Sequence, residues 1–386
     1  MSESSRKLIG KLCVFGSYDD SELYSRNRTL IDVLSSNAEY VDELRPHRAR
    51  EETNNHQRLS SLPMLLSTVC RLIKDGTSLF SQRSALRRAD MCFVPYPAYI
   101  DLMLLRLFLP KGETPLVVVD AFLCLHDTLA GDRGMIKDGG ILSRLVSALE
   151  RRTLAYPDLV LIDTEQQRQL LIKRYELSQQ KVLAVPVGID ESLWTPLPHL
   201  PLSGRMRILF WGTFIPLHGI ETIVEAASLL EKTHAEIDFR FIGDGQTADA
   251  VWNLIGKLDV SNISWERGLV SAEKLREELS VSHCMLGIFG ESEKAGNVVP
   301  YKVYQALASD RPVISRFGPA VSELCVDCDG VIFVPPADSE SLAGAIAEFY
   351  ESYAGLELSS STRAVYDQHL SNACIGATLT DAVEKL

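Results

Sequence analysis

The stretch RILFWGTFIPLHGIETIVEAASLLEK, residues 207–232, joins a strand-like apolar run to an amphipathic helical pattern through a short loop. Gly212 ends the apolar run and Gly219 opens the helix. A helix N-terminus in this position presents free N–H groups and a partial positive charge, both of which suit a phosphate group. The alternative interpretation is that the two glycines only permit tight turns.

The same alternation of apolar runs and helix-period segments continues through the chain, which is typical of parallel sheets covered by helices on both faces. Helices are predicted at 25–36, 141–156 and 219–232. Strands are predicted at 11–16, 38–44, 91–95, 115–120, 158–163 and 181–188, and then at 207–212, 237–243, 263–268, 283–289, 312–315 and 330–335. The pattern therefore predicts an α/β fold built from two similar domains.

The domain division follows from length and composition. A chain of 386 residues is too long for one ordinary domain. The proline-dense run around 191–205 has neither period, so it is predicted as a linker between domains at 1–190 and 206–364. The helix-like segment 365–386 is expected to pack back on the first domain.

Charge and hydropathy limit the class of protein. The net charge of −12 argues against a general nucleic-acid binder, which needs a basic surface. The N-terminus lacks the pattern of a signal peptide, and no apolar run is long enough to span a bilayer. We therefore expect a cytoplasmic protein. Cys325 and Cys328 form one CxxC, but without a second ligand pair no metal site is predicted.

Two further stretches in the second half carry candidate ligand groups. In ESEKAGNVVPYKVYQALAS, residues 291–309, Lys294 lies in a glycine-containing loop and Lys302 in the first turn of a helix opened by Pro300. A cation there opposes the helix dipole unless an anion neutralises it. In FIGDGQ, residues 241–246, two glycines follow a strand; the alternative is a sharp turn with Asp244 capping the next helix.

The first half offers weaker signals. Gly16 and Asp120 follow or end strands, and His126 comes soon after Asp120, so all three are candidates for the carboxyl edge of the first sheet. The segment 71–90 interleaves arginines with Leu, Ile and Phe, a composition that suits contact with an anionic membrane surface. A solvated helix face is the alternative for 71–90.

These motifs resemble those of the family 4 glycosyltransferases (glycosyl transferases group 1), which have the GT-B fold. The resembling segments are VPVGIDESLWTP (185–196), WGTFIPLHGIETIVEAA (211–227), FIGDG (241–245) and KAGNVVPYKVYQALASDRPVI (294–314). The resemblance implies two Rossmann-like domains with parallel sheets facing a central cleft. It further implies retaining, metal-independent hexosyl transfer from a nucleoside diphosphate sugar, with no cofactor, to a glycan, lipid-linked or protein-linked acceptor.

The resemblance also implies roles for individual residues. Asp120 or His126 would face the acceptor hydroxyl or donor sugar, while Lys294 and Lys302 would stabilise the departing diphosphate. The donor would be bound by Gly16, Gly212, Thr213, His218, Gly243, Gly245, Arg267, Gly296, Asn297, Val298, Val299 and Gln305.

The sequence departs from the family pattern in two places. Thr213 and His218 occupy the region where the family has an arginine and a lysine, and Asn297 and Gln305 replace its pair of glutamates. Glu291 or Glu293 could supply the missing carboxylate. The departures keep open a second hypothesis, a weakly active or non-catalytic nucleotide-sugar-binding partner subunit.

Overall fold

A computed structural model describes residues 7–21, 25–45, 83–109, 115–122, 139–324, 330–353 and 361–386. The chain divides into two compact units. The first unit comprises residues 1–187 and 375–386, and the second comprises residues 188–374.

The first unit contains a six-stranded sheet in the order β2-β1-β3-β4-β5-β6, with every neighbouring pair parallel. Its strands are β1 Ile9–Phe15, β2 Ala38–Leu44, β3 Met91–Val94, β4 Leu116–Asp120, β5 Leu159–Ile162 and β6 Val182–Ala184. All six strands predicted in the first half are confirmed. Their runs of Val, Leu and Ile are typical of parallel strands that are buried on both faces.

Helices cover this sheet on both faces, and apolar side chains form one core on each side. The helices are α1 Ser25–Ser36, α2 Arg83–Leu86, α3 Tyr99–Phe108, α4 Ile141–Leu154 and α5 Glu165–Tyr175. The predicted helix at 25–36 is confirmed, and the helix predicted at 141–156 ends at Leu154. Ile375 and Leu379 of the last helix pack in the same core as Leu12 and Leu30.

The second unit repeats this architecture with a six-stranded parallel sheet in the order β12-β11-β10-β7-β8-β9. Its strands are β7 Met206–Trp211, β8 Ile237–Ile242, β9 Ile263–Glu266, β10 Cys284–Leu286, β11 Val313–Arg316 and β12 Val331–Val334. The six strands predicted in the second half are also confirmed, so the fold class is α/β with two parallel sheets.

The second-unit helices include the one predicted at 219–232, which is observed at Ile220–Glu231. They are α6 Ile220–Glu231, α7 Ala248–Leu258, α8 Ala272–Ser280, α9 Glu293–Gly296, α10 Tyr301–Ala308, α11 Pro319–Leu324, α12 Ser339–Ser352, α13 Ser361–Val365 and α14 Asn372–Glu384, the last continuing into the first unit. Pro300 is the N-cap of α10 and not its first residue. The one-turn helix α9 lies in what the sequence suggested was a loop, with Ser292 as its N-cap.

The proline-dense run 191–205 lies in the second unit and is bound to it. The Leu197 amide donates to the carbonyl of Ser309, and the Tyr353 hydroxyl donates to the carbonyl of Leu200. The chain passes from one unit to the other between Val187 and Gly188, before the predicted linker. In the part of the chain that the structure describes, no helix is both long and apolar enough to cross a bilayer.

Candidate functional site

The second sheet has a topological switch point between β7 and β10. From β7 the chain adds β8 and β9 on one side, and it then crosses to place β10 on the other side. Loops after such a pair of strands diverge in opposite directions and leave a crevice at the carboxyl edge, where open α/β sheets bind ligands. At this edge lie the loop 212–219 after β7 and the loop 287–292 after β10, and we refer to the region that they border as the crevice.

The two loops are joined closely by their backbones. The Phe289 amide donates to the carbonyl of His218 at 2.9 Å, and the Gly290 amide donates to the carbonyl of Leu217 at 3.3 Å. Gly219 has a left-handed conformation with φ of 59°, and a Cβ there would lie 2.6 Å from the Gly290 nitrogen. Gly219 is therefore required both for the turn and for the approach of the second loop.

Lys302 lies in the first turn of α10 and is buried, with only 5% of its surface exposed. Its Nζ atom lies 3.9 Å from the centroid of the Phe210 ring on β7, a cation–π contact, and it has no hydrogen-bond partner among the residues that the structure describes. Burial lowers the pKa of Lys302 well below its ordinary value. A buried, unpartnered ammonium at a helix N-terminus is stabilised when an anion occupies the space beside it.

His218 completes this pocket. Burial lowers the pKa of His218 to about 2, with a contribution from the nearby charge of Lys302, so the imidazole is neutral. Its Nδ1 atom is buried and, within the described part of the chain, has no hydrogen-bond partner. A Cβ at Gly212 would lie 3.3 Å from both His218 Cε1 and Lys302 Nζ. The predicted residues Gly212, His218 and Lys302 are thus brought together, with Thr213 exposed at the rim.

The segment around α9 borders the same crevice. Helix α9, which carries the half-buried Lys294, packs beside the turn Pro216–His218. Gly296 ends α9, and the carbonyl of Gly296 lies 2.8 Å from where a Cβ of Gly318 would be. Asn297 is the C-cap of α9, and its backbone N–H group donates to the carbonyl of Lys294. After it, Val298 is half-buried and Val299 is buried.

Gln305 is buried on α10 and is oriented by a neighbour on β7. The Trp211 Nε1–H group donates to Gln305 Oε1 at 3.0 Å. Because the indole nitrogen is only a donor, the amide oxygen must face Trp211, and the amide NH₂ group faces away from it. Gln305 therefore presents a hydrogen-bond donor to its other neighbours, whereas a glutamate at this position would present an acceptor.

The FIGDGQ stretch forms a turn beside the β7 loop. A Cβ at Gly243 would lie 2.0 Å from the carbonyl oxygen of Gly212, and one at Gly245 would lie 2.7 Å from the backbone of Phe214. Both glycines have positive φ values. Asp244 does not cap α7, since Thr247 is the N-cap. The Asp244 carboxylate accepts from Arg267, which also pairs with Asp249.

In the first unit, Asp120 ends β4 at the carboxyl edge of the sheet, as the sequence predicts, and its side chain is bound by a residue of the same unit. Its carboxylate is fully buried and accepts three hydrogen bonds from the Arg26 guanidinium, at 2.9 to 3.0 Å. Arg26 Nη1 donates to the carbonyls of Val185 and Pro186. Asp120 is therefore held inside the first unit by an ion pair, and its role toward an acceptor hydroxyl or donor sugar stays a prediction. A strand-end position is a local signal, whereas the partner lies 94 residues away.

The remaining first-unit candidates have separate outcomes. Gly16, with φ of 128°, lies against the Asp101 carboxylate, which would be 2.7 Å from a Cβ there, so this glycine makes room for a protein side chain. His126 and most of the segment 71–90 lie outside the described residues, as do Cys325 and Cys328. Elsewhere, within the described ranges, no cluster of His, Cys, Asp and Glu is suited to hold a metal ion.

Three residues of the crevice were missed by the sequence analysis. Phe210 and Trp211 look like ordinary strand residues, yet they contact Lys302 and Gln305. Arg316, at the end of β11, donates through Nη1 to the carbonyls of Gly290 at 2.5 Å and Ser292 at 3.1 Å. Its position at the carboxyl end of a predicted strand was the one available signal. Arg316 holds the loop that leads into α9.

The paired parallel sheets and the crevice of the second unit define the GT-B class of fold, and comparisons with known proteins agree. Residues 205–352 match the family described as glycosyl transferases group 1. This match covers most of the second unit, and the resemblance inferred from the motifs is confirmed. A comparison with curated protein sequences gave no significant match.

Solved structures show the same fold over nearly the whole chain. Sucrose-phosphate synthase from Thermosynechococcus elongatus superposes with a TM-score of 0.71 and 14% identity, covering 97% of this chain and 98% of that one. HepE (Alr3699) from Anabaena, solved with UDP and glucose, superposes with a TM-score of 0.66 and 13% identity, covering 98% of this chain and 100% of that one. TarM from S. aureus, solved with UDP, superposes with a TM-score of 0.59 and 11% identity, covering 80% of this chain and 59% of that one. The predicted GT-B fold is confirmed.

Proposed function

We propose that this chain is a retaining, metal-independent glycosyltransferase that moves a hexosyl unit from a nucleoside diphosphate sugar to a glycan, glycolipid or glycoprotein acceptor. The observation that carries the proposal is the buried Lys302 ammonium, which has no hydrogen-bond partner beside Gly212 and His218. The comparisons support it through the matched family and through relatives solved with UDP and sugars.

The diphosphate of the donor is the group we place in the crevice. Negative charge develops on the leaving phosphate as the glycosidic bond breaks, and groups that stabilise it at that moment accelerate the step. Lys302 would supply the charge, the backbone N–H groups of the loop after Gly212 would supply donors, and the neutral His218 would add a further hydrogen bond. Lys294 would act from α9. As the bond from the anomeric carbon to the phosphate oxygen breaks, the acceptor oxygen would bond to the same face of that carbon and pass its proton to the departing phosphate oxygen, so the configuration would be retained.

Binding is tested by thermal shift and calorimetry with UDP, GDP, UDP-glucose and GDP-mannose. The ligand that raises the melting temperature identifies the nucleotide, since stabilisation follows affinity. Lys302→Met is expected to weaken the binding of that nucleotide about ten- to hundredfold, the effect of removing a charge-assisted hydrogen bond. The matched control is Lys257→Met, an exposed lysine on α7 that should leave affinity unchanged. Equal affinity of the Lys302→Met variant and the wild type would remove the diphosphate assignment.

Catalysis is tested separately from binding. The wild type should release free sugar and nucleoside diphosphate slowly in the absence of an acceptor, at an unchanged rate in EDTA, and NMR of the transfer product should show the anomeric configuration of the donor. Inverted product would exclude the retaining mechanism, and loss of turnover in EDTA would exclude metal independence.

The second candidate is a nucleotide-sugar-binding partner subunit with weak or no transfer. It is favoured by one feature, the neutral Gln305 that Trp211 holds in a place where the resembling family has a carboxylate. Tight donor binding without hydrolysis or transfer would select this candidate. Gain of turnover in Gln305→Glu would show that the missing carboxylate is the reason.

A further inference from the structure

Helix α4, Ile141–Leu154, exposes apolar side chains to solvent and buries polar ones. Four large aliphatic side chains on it face solvent: Ile141, Leu142, Leu145 and Leu149 are 82%, 56%, 62% and 45% exposed. Ile141, Leu145 and Leu149 repeat at every fourth position and so form one stripe along the helix. A folded chain seldom leaves such a contiguous apolar stripe uncovered unless something binds it.

The inward face of α4 explains why this stripe cannot turn toward the core. Its buried positions include three polar residues, Ser143, Glu150 and Thr153. The Tyr175 hydroxyl on α5 donates to Glu150 Oε2 at 2.6 Å, and the Thr153 hydroxyl donates to the carbonyl of Leu149 at 2.8 Å. Rotating the helix to bury its leucines would break the Tyr175 hydrogen bond and expose the sheet-facing side. The apolar stripe is therefore held outward by the packing.

Cations flank the stripe. Arg144, Arg151 and Arg152 are exposed on α4, and its one acidic residue, Glu150, is buried. Arg151 pairs with Glu176, whereas within the described ranges neither Arg144 nor Arg152 makes an ion pair. The neighbouring α3 adds Leu107, which is 75% exposed, beside Arg106, whose Nη1 donates to the carbonyl of Arg152. This basic face stands out in a chain of net charge −12.

We propose that this outer α4 face, made of Ile141, Leu142, Arg144, Leu145, Leu149 and Arg152, docks on an anionic lipid bilayer. Aliphatic side chains between arginines match the boundary between acyl chains and phosphate headgroups of such a bilayer. A second copy of the chain fits less well, because a two-fold contact through this face would bring like charges together. The inference does not depend on the proposed transferase activity or on the segment 71–90.

The test uses the full chain and flotation with two kinds of vesicle, pure phosphatidylcholine and an equal mixture with phosphatidylglycerol. Wild type is expected to float with the mixed vesicles, to stay behind with the neutral ones, and to be released by high salt. The variant Leu145→Ser/Leu149→Ser should lose about tenfold or more in binding, since it removes buried apolar area. Arg144→Gln/Arg152→Gln should bind more weakly and lose most of its salt dependence.

Matched controls come from the second unit. Leu269→Ser removes a leucine that is 86% exposed, and Arg205→Gln removes an exposed arginine; both should bind the mixed vesicles as wild type does. Failure of the wild type to bind, or wild-type binding by the Leu145→Ser/Leu149→Ser variant, would overturn the proposal.

Two further outcomes would reassign the face. If light scattering shows a wild-type dimer that the Leu145→Ser/Leu149→Ser variant loses, a second copy is the occupant. If that variant melts several degrees lower than wild type without vesicles, the face is covered by the chain's own residues. Either result would overturn docking on a bilayer.

Discussion

The two units each bury a charged side chain, and they treat it in opposite ways. In the first unit, the Arg26 guanidinium is directed at the Asp120 carboxylate and two backbone carbonyls. In the second unit, the Lys302 ammonium lies over the Phe210 ring and has no hydrogen-bond partner. A buried ion that is fully partnered contributes to the architecture, whereas one left without a partner marks a place for a ligand.

Asp163 lies between these two cases. It follows β5 and is buried, and its Oδ1 atom has no hydrogen-bond partner in the described ranges. Burial raises the pKa of Asp163 to about 6; the Arg26 charge opposes this rise, and the Asp120 charge adds to it. One guanidinium thus serves two carboxylates, and only Asp120 receives its hydrogen bonds.

The largest effect is expected at the ion pair of Arg26 and Asp120. Arg26→Met would leave the Asp120 carboxylate buried without its cation, which should lower the free energy of unfolding by about 3 to 5 kcal/mol. Urea denaturation measures this loss. The double variant Arg26→Met/Asp120→Leu removes both charges and should recover most of it. A loss below about 1 kcal/mol in Arg26→Met would show that the pair is not structural.

The second effect is a pH dependence at Asp163. Because its folded pKa of about 6 exceeds the unfolded value of about 3.9, the folded state binds more protons between these limits. The free energy of unfolding should therefore fall as the pH rises through this window, by up to about 3 kcal/mol. Asp163→Asn should lack that fall and be more stable than wild type at neutral pH.

Denaturation as a function of pH checks the Asp163 prediction. Burial also raises the pKa of Asp120, so the wild-type curve contains both groups, and only the difference from Asp163→Asn isolates one. Asp381→Asn, which changes an exposed carboxylate on α14, is the control. Parallel curves for wild type and Asp163→Asn would contradict the prediction.

The smallest effect is expected at Lys302, where substitution should raise the free energy of unfolding of the ligand-free protein. Its folded pKa is lower than the unfolded one, so the unfolded state binds more protons and stability should rise as the pH rises toward the ordinary lysine pKa. Lys302→Met should stabilise the ligand-free protein at neutral pH by about 1 to 3 kcal/mol, because a buried unpartnered donor is removed. The gain should shrink at alkaline pH. Destabilisation by Lys302→Met would mean that Lys302 belongs to the architecture as Arg26 does.

Much of the fold could be predicted because its signals are local. Buried parallel strands need continuous runs of branched apolar residues, and both sheets carry them in PLVVVD, DLVLID and RILFWG. The loop after β7 and the lysine at the start of α10 were also visible, since glycines and helix termini have fixed sequence signatures. Helix α9 was missed because a single turn has no periodicity to detect.

Local sequence patterns specify two α/β units of parallel strands, the resemblance to the glycosyl transferases group 1, and the stretches that border the crevice. Long-range packing places Asp120 against Arg26, buries Lys302 against Phe210 and lets Trp211 orient Gln305. The same packing exposes the leucines of α4 to solvent. The physical reason is that burial and pairing of a charge depend on residues far apart in the chain, whereas strand and helix patterns depend on near neighbours.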